Sequence, residues 1–156
     1  MSNPGITKEK ILDILVTHLK DEHNFNADKI KELFEKKYIP VSVFKSKLGP
    51  LESLVKYMKE ELELNYHSIA VLLKRNDRTI WTTYNNANKK LKQKLSYSSD
   101  DICVPISIFE NRKLSILESL ILYLKDTMAL RMPKIASLLN RDNRTIWTVY
   151  SRAKKK

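Results

Sequence analysis

The stretch "KRNDRTIWTTY", Lys74–Tyr84, returns sixty-six residues later as "NRDNRTIWTVY", Asn140–Tyr150. The only two tryptophans of the chain, Trp81 and Trp147, hold the same place in both. Extending the match without a gap aligns Leu48–Lys90 with Leu114–Lys156, and roughly half of the positions are identical. Just upstream, "IPVSVF" (Ile39–Phe44) matches "VPISIF" (Val104–Phe109) after a one-residue shift. A unit of about 53 residues is therefore written twice, at 39–91 and 104–156. Between the copies, 92–103 is polar and reads as a linker.

Each copy carries the punctuation of three helices. In "PLESLVKYMKEEL", residues 50–62, Leu51, Leu54, Val55, Met58 and Leu62 recur at helical spacing. Gly49-Pro50 suits a helix start, and Ser115 with Glu118 forms a capping-box pattern in the second copy. A second helix follows Asn65, with Ile69, Leu72 and Leu73 as its apolar face and small Ala70 permitting close approach of a neighbour. In the second copy Pro133 sits in the corresponding first turn, where its missing N–H costs little. A tight polar turn then leads to a third helix, capped by Asn76 or Asp142. The fold class is all-α: two tandem helix-turn-helix units preceded by an N-terminal helical segment, 1–38. That segment reads either as a degenerate third copy, with Leu12 over Leu51 and Ile30 over Ile69, or as two unrelated amphipathic helices.

The order Ile-Ala, Leu, polar cap, Thr-Ile in "SIAVLLKRNDRTIWTTYNNANKKL" and "KIASLLNRDNRTIWTVYSRAKKK" resembles the helix-turn-helix of region four of bacterial sigma factors and of response-regulator output domains. Ile69-Ala70, Leu73, Asn76 and Thr79-Ile80 carry it in the first copy, and Ile135-Ala136, Leu139, Asp142 and Thr145-Ile146 in the second. The resemblance spans about 25 residues per copy. It implies a DNA-binding fold whose last helix reads the duplex. The chain departs from that pattern at Lys74 and Asn140, which replace a turn glycine, and at Arg75 and Arg141, which replace an apolar turn residue.

Composition agrees with a binding protein. The net charge is +11 and the pI about 9.7, a balance that suits a polyanionic partner. Only 2 glycines leave little room for a glycine-rich phosphate loop, and the single Cys103 excludes an internal disulfide. His18, His23 and His67 are scattered, and no nucleophile is paired with a base, so neither an enzyme nor a cofactor is expected. No apolar run reaches membrane-spanning length, and a cytoplasmic, nucleoid-associated protein is the expectation.

Helical geometry divides the third helix into two faces. Ile80, Thr83, Tyr84, Ala87 and Leu91 point to the core. The opposite face is basic and hydrogen-bonding, with no acid after the cap. Base contacts are expected from Arg78, Thr79, Thr82 and Asn85, and from Arg144, Thr145, Thr148 and Ser151. Phosphate contacts are expected from Arg75, Asn86, Lys89 and Lys90, and from Arg141, Arg152, Lys155 and Lys156. Trp81 and Trp147 lie at the edge of the apolar stripe. The spacing predicts that each closes the core near Tyr57 or Tyr123; the competing reading is a base- or sugar-contacting aromatic. The expected partner is double-stranded DNA, with the linker, up to about 40 Å long when extended, letting both readers reach successive major grooves. A homodimer or a protein partner through the N-terminal helices is the second expectation. The rival functions are an architectural DNA-coating protein and a helical adaptor.

Overall fold

The computed structural model describes residues 7–23, 38–98 and 101–156. Helix α1 spans Lys8–His23. Strand β1 (Tyr38–Pro40) runs into a 3-10 turn at Val41–Lys45. Then come α2 (Pro50–Glu60), α3 (Tyr66–Leu73) and α4 (Asp77–Lys90). The second unit repeats the order: β2 (Cys103–Pro105), a 3-10 turn at Ile106–Glu110, α5 (Ile116–Leu122), α6 (Met132–Leu139) and α7 (Asn143–Lys154). After Leu122 the helix widens into a π turn, Tyr123–Thr127. The described chain is thus mostly helical, in keeping with the all-α expectation, with one small antiparallel ribbon beside the helices. Ile39 and Val104 are β-branched residues that fit its pleated, buried pair, and Val41, Val43 and Ile106 carry the burial on into the two 3-10 turns. None of the described helices is long and apolar enough to cross a membrane.

The helix signals read from the sequence correspond to real caps. Asn65 accepts from the Ser68 N–H at 2.7 Å and Asn76 from the Thr79 N–H at 2.7 Å. Asp142 accepts from the Thr145 N–H at 2.8 Å. The capping box expected at Ser115 is half formed. Ser115 Oγ accepts from the Glu118 N–H, but the Glu118 carboxylate turns away to Lys156 and Arg152. The backward reach is made instead in the first unit, where Glu52 accepts from the Gly49 N–H at 3.1 Å.

The ribbon joins the two units. Its register pairs Tyr38 with Pro105, Ile39 with Val104, and Pro40 with Cys103. Phe44 and Phe109 meet with ring centroids 5.9 Å apart. The 3-10 turn of the first unit packs on α6, and that of the second packs on α3. One continuous core results, from Ile39, Leu54, Ile69 and Ile80 to Val104, Leu120, Ile135 and Ile146.

The segment 92–103 is consequently not a free tether. Leu95, Ile102 and Cys103 are buried, and Cys103 belongs to β2. The Tyr97 ring stands edge-on to Tyr57 at 5.2 Å, and its hydroxyl donates to Glu61. The Ser98 N–H donates to Ser42 Oγ, and Asp101 accepts from the Ser42 N–H. Apolar burial and these bonds hold the segment against the first unit, which an extended 40 Å span would forfeit. The boundary drawn after residue 38 likewise falls inside β1. Ahead of the ribbon, Thr7 forms a bridge with Ile102 at the start of α1. The first helix expected in the N-terminal segment exists as α1; the second, which would carry Ile30, lies outside the described residues.

Candidate nucleic-acid interface

The two turns before α4 and α7 are built alike. Lys74 and Asn140 adopt the left-handed conformation, with φ 51° at both. This is the conformation that favours glycine, and it stops α3 and α6 sharply. The N–H groups of Arg75 and Arg141 donate to the carbonyls of Ala70 and Ala136, at 2.9 and 3.0 Å. Ala70 and Ala136 are buried, so their small side chains let the following helix cross closely.

On α4, Ile80, Thr83 and Ala87 are buried; on α7, Ile146, Val149 and Ala153 are. The opposite faces are open. Arg78, Trp81, Thr82, Asn86 and Lys89 are exposed on α4, as are Arg144, Trp147, Thr148, Ser151, Arg152 and Lys155 on α7. Trp147, Thr148, Ser151, Arg152 and Lys155 line one shallow depression, and Asn76, Arg78, Thr79 and Thr82 line another. The expectation that the tryptophans close the core is overturned: Trp81 is 55% and Trp147 49% exposed. The place beside Tyr57 is taken by another ring. Tyr97 packs edge-on against Tyr57.

Several predicted contacts are less free than their spacing implied. Thr79 and Thr145 are half-buried at the cap, and the Thr145 hydroxyl donates to Asp142 at 3.0 Å. That bond follows the Thr145 N–H in holding the Asp142 carboxyl below the usual range. The Thr148 hydroxyl donates to the Arg144 carbonyl at 2.9 Å and keeps its lone pairs for a further partner. Asn85 is half-buried, with its amide nitrogen closed off from solvent and unpartnered.

Among the phosphate candidates, Lys90 donates to Glu52 at 2.8 Å. Lys156 donates to Glu118 at 3.1 Å, and Arg152 Nε lies 3.3 Å from the same carboxylate. Burial pushes the Glu118 carboxyl upward, but the Lys156 hydrogen bond and charge, the Ser115 bond and Arg152 outweigh it, leaving it below the usual range. These cations therefore anchor the third helix to the first while more than a third of each side chain remains exposed. Among the described residues no carboxylate pairs with Lys89 or Lys155, which stay exposed beside them. Arg75 is half-buried. Burial, then the charge of Arg112 from the second unit, lower its pKa, so cationic charge is concentrated at this turn. Arg141 is half-buried in the equivalent turn.

Sequence reasoning missed the carboxylate anchors. Glu60 accepts from the Tyr84 hydroxyl at 3.1 Å, and Asp126 from the Tyr150 hydroxyl at 2.8 Å. The signal was present: an acid ends the first helix, and a tyrosine sits mid-way along the third, in both copies. Cys103 is buried, which pushes its thiol up to about 11, so it is a packing residue at neutral pH. No cluster of metal-ligating side chains occurs among the described residues. Neither a known protein family, a curated protein nor a solved structure matches the chain.

Proposed function

We propose that the chain is a sequence-preferring double-stranded DNA-binding protein, a transcription regulator rather than an enzyme. The pairs α3–turn–α4 and α6–turn–α7 act as helix-turn-helix elements, with α4 and α7 as recognition helices in the major groove. The observation that carries this reading is the exposed face common to both helices. Arg78 and Arg144, Thr82 and Thr148, Lys89 and Lys155 are exposed at matched positions, with no acid among them. A solvated helix face ordinarily mixes charge signs. Arginine grips guanine O6 and N7, and threonine reaches base edges or the thymine methyl. Lysines in the later turns meet phosphates. The exposed indoles of Trp81 and Trp147 flank this face and supply apolar contact to sugars or thymine methyls.

The test is recovery of bound sequences from a random duplex pool at moderate salt. Strong enrichment of a defined sequence is expected. Equal recovery of every duplex would replace the regulator with a DNA-coating protein. Absence of binding even at low salt, where phosphate contacts are strongest, would leave only a protein-interaction role.

A further inference from the structure

The two units are related by an approximate two-fold axis, not by the translation that tandem repeats in one chain commonly follow. The ribbon places Ile39 opposite Val104, and these are equivalent residues of the two copies. The flanking pairs, Tyr38 with Pro105 and Pro40 with Cys103, exchange under the same equivalence. Phe44 touches its own counterpart, Phe109. The first 3-10 turn packs on α6 as the second packs on α3. A surface that meets its own copy in reciprocal contacts is isologous, the signature of a two-fold. Head-to-tail stacking would set each unit's front against its neighbour's back, with no such reciprocity.

The axis is also rigid. The units share one core, and across it Lys74, in the turn before α4, lies 3.6 Å from Glu110 of the second unit. The recognition helices therefore cannot change their relative orientation without breaking buried contacts. Duplex DNA has its own two-fold axes, which exchange the strands. Two readers related by a two-fold meet the same base steps on opposite strands, at one separation.

The readers are similar but not identical. Arg78, Trp81, Thr82 and Lys89 match Arg144, Trp147, Thr148 and Lys155, whereas Asp77 stands where Asn143 does and Asn85-Asn86 where Ser151-Arg152 do. We propose that the chain binds an imperfect inverted repeat in double-stranded DNA at one fixed half-site spacing. The half-sites agree where the matched arginines and threonines read, and differ where Asn85-Asn86 and Ser151-Arg152 read. This rests on the DNA-binding role proposed above and fixes the geometry of its target.

The experiment sequences the duplexes enriched from a random pool, then titrates the best one with its second half-site inverted, in direct orientation, or displaced by about 5 base pairs, half a helical turn. An inverted repeat with one spacing is expected. Direct orientation or displacement should weaken binding on the order of 100-fold, because the second reader no longer engages. A second pool with Asp77→Asn, Asn85→Ser and Asn86→Arg in one chain makes residues 77–87 match 143–153 everywhere outside the buried position Thr83/Val149. Glu52 stands where Glu118 does and can hold the new arginine as Glu118 holds Arg152. That pool should yield a perfect palindrome. Enrichment of a direct repeat, of a single half-site, or of half-sites at many spacings would overturn this inference while leaving DNA reading intact. Unchanged asymmetry in the variant's pool would overturn the assignment of that asymmetry to these positions. No enriched sequence at all would overturn both this inference and the reading it rests on.

Discussion

The two units answer one structural demand with different residues. In each, a carboxylate at the end of the first helix holds the third helix through a tyrosine and an ammonium group. In the first unit Glu60 receives Tyr84 and Lys56, and Lys56 is fully buried, also donating to Asn88 at 2.8 Å. In the second unit Asp126 receives Tyr150 and Lys154. Leu122 stands where Lys56 does, and Lys154 where Asn88 does. The cation has changed helices, and with the change it has moved from the core to the surface. What the fold requires is the clamp between first and third helices; where its positive charge comes from is interchangeable. The clamp matters because it fixes the helix proposed to lie in the DNA groove.

The largest effect should come from breaking the shared core. Ile80→Asp or Ile146→Asp buries an unpaired carboxylate at a cost of about 4 kcal/mol or more. Two independent units on a tether would lose only the mutated half. One core predicts loss of amide protection in both, measured by hydrogen exchange on either variant. Persistent protection of the untouched unit would restore the tether picture.

The clamp gives the next effect. Lys56→Ala leaves Glu60 without its buried partner and opens a cavity, costing about 3 kcal/mol. Lys56→Leu with Asn88→Lys copies the wiring of the second unit and should recover most of that loss in a denaturant titration. Failure of the double change to recover stability would show that the two clamps are not equivalent.

The turns predict a gain. Lys74 and Asn140 share a left-handed backbone, which costs lysine more than asparagine. Lys74→Gly should stabilise by about 1 kcal/mol and Asn140→Gly by only a few tenths, read from melting curves. The exposed Lys74–Glu110 pair that is lost contributes little against this.

Acid should act on the shared core through the second unit. Among the described residues the lowered carboxyls, Glu118, Asp126 and Asp142, lie in the second unit. Glu118 and Asp142 have the causes given above; Asp126 is lowered first by the Tyr150 hydrogen bond, against burial, and then by Lys154. A carboxyl whose folded pKa lies below its unfolded value stabilises the fold fully above the unfolded value, and that stability is lost as pH falls through the folded one. Exchange protection should therefore fall on acidification in both units, because they share one core, and Glu118→Gln should flatten that dependence.

The helices, the caps at Asn65, Asn76 and Asp142, and the inward and outward faces of α4 and α7 were legible because local spacing and side-chain chemistry determine them. The joining of the units was not. A three-residue strand carries too little alternation to announce itself, and its partner lies some sixty residues away. Polar residues masked Leu95, Tyr97 and Ile102 as linker, although they are the ones that bind it down. The tryptophans sit at the edge of the apolar stripe, where spacing alone does not decide exposure, and in the first unit the ring beside Tyr57 came from Tyr97, outside the three helices. The acid anchors on Lys90, Lys156 and Arg152 required knowing how closely the first and third helices pack.

Arg78 and Arg144, exposed in the first turn of α4 and α7, are where the proposed function is most open to direct attack. The measurement is a binding titration of Arg78→Ala, Arg144→Ala and the double variant against an enriched duplex and its scrambled counterpart. Each single change should weaken specific binding by about 1–3 kcal/mol and relax preference at one position of one half-site. The double variant should bind both duplexes alike, weakly and with strong salt dependence. A double variant that still separates the two duplexes as well as the unmodified chain does would contradict the assignment of α4 and α7 as the readers.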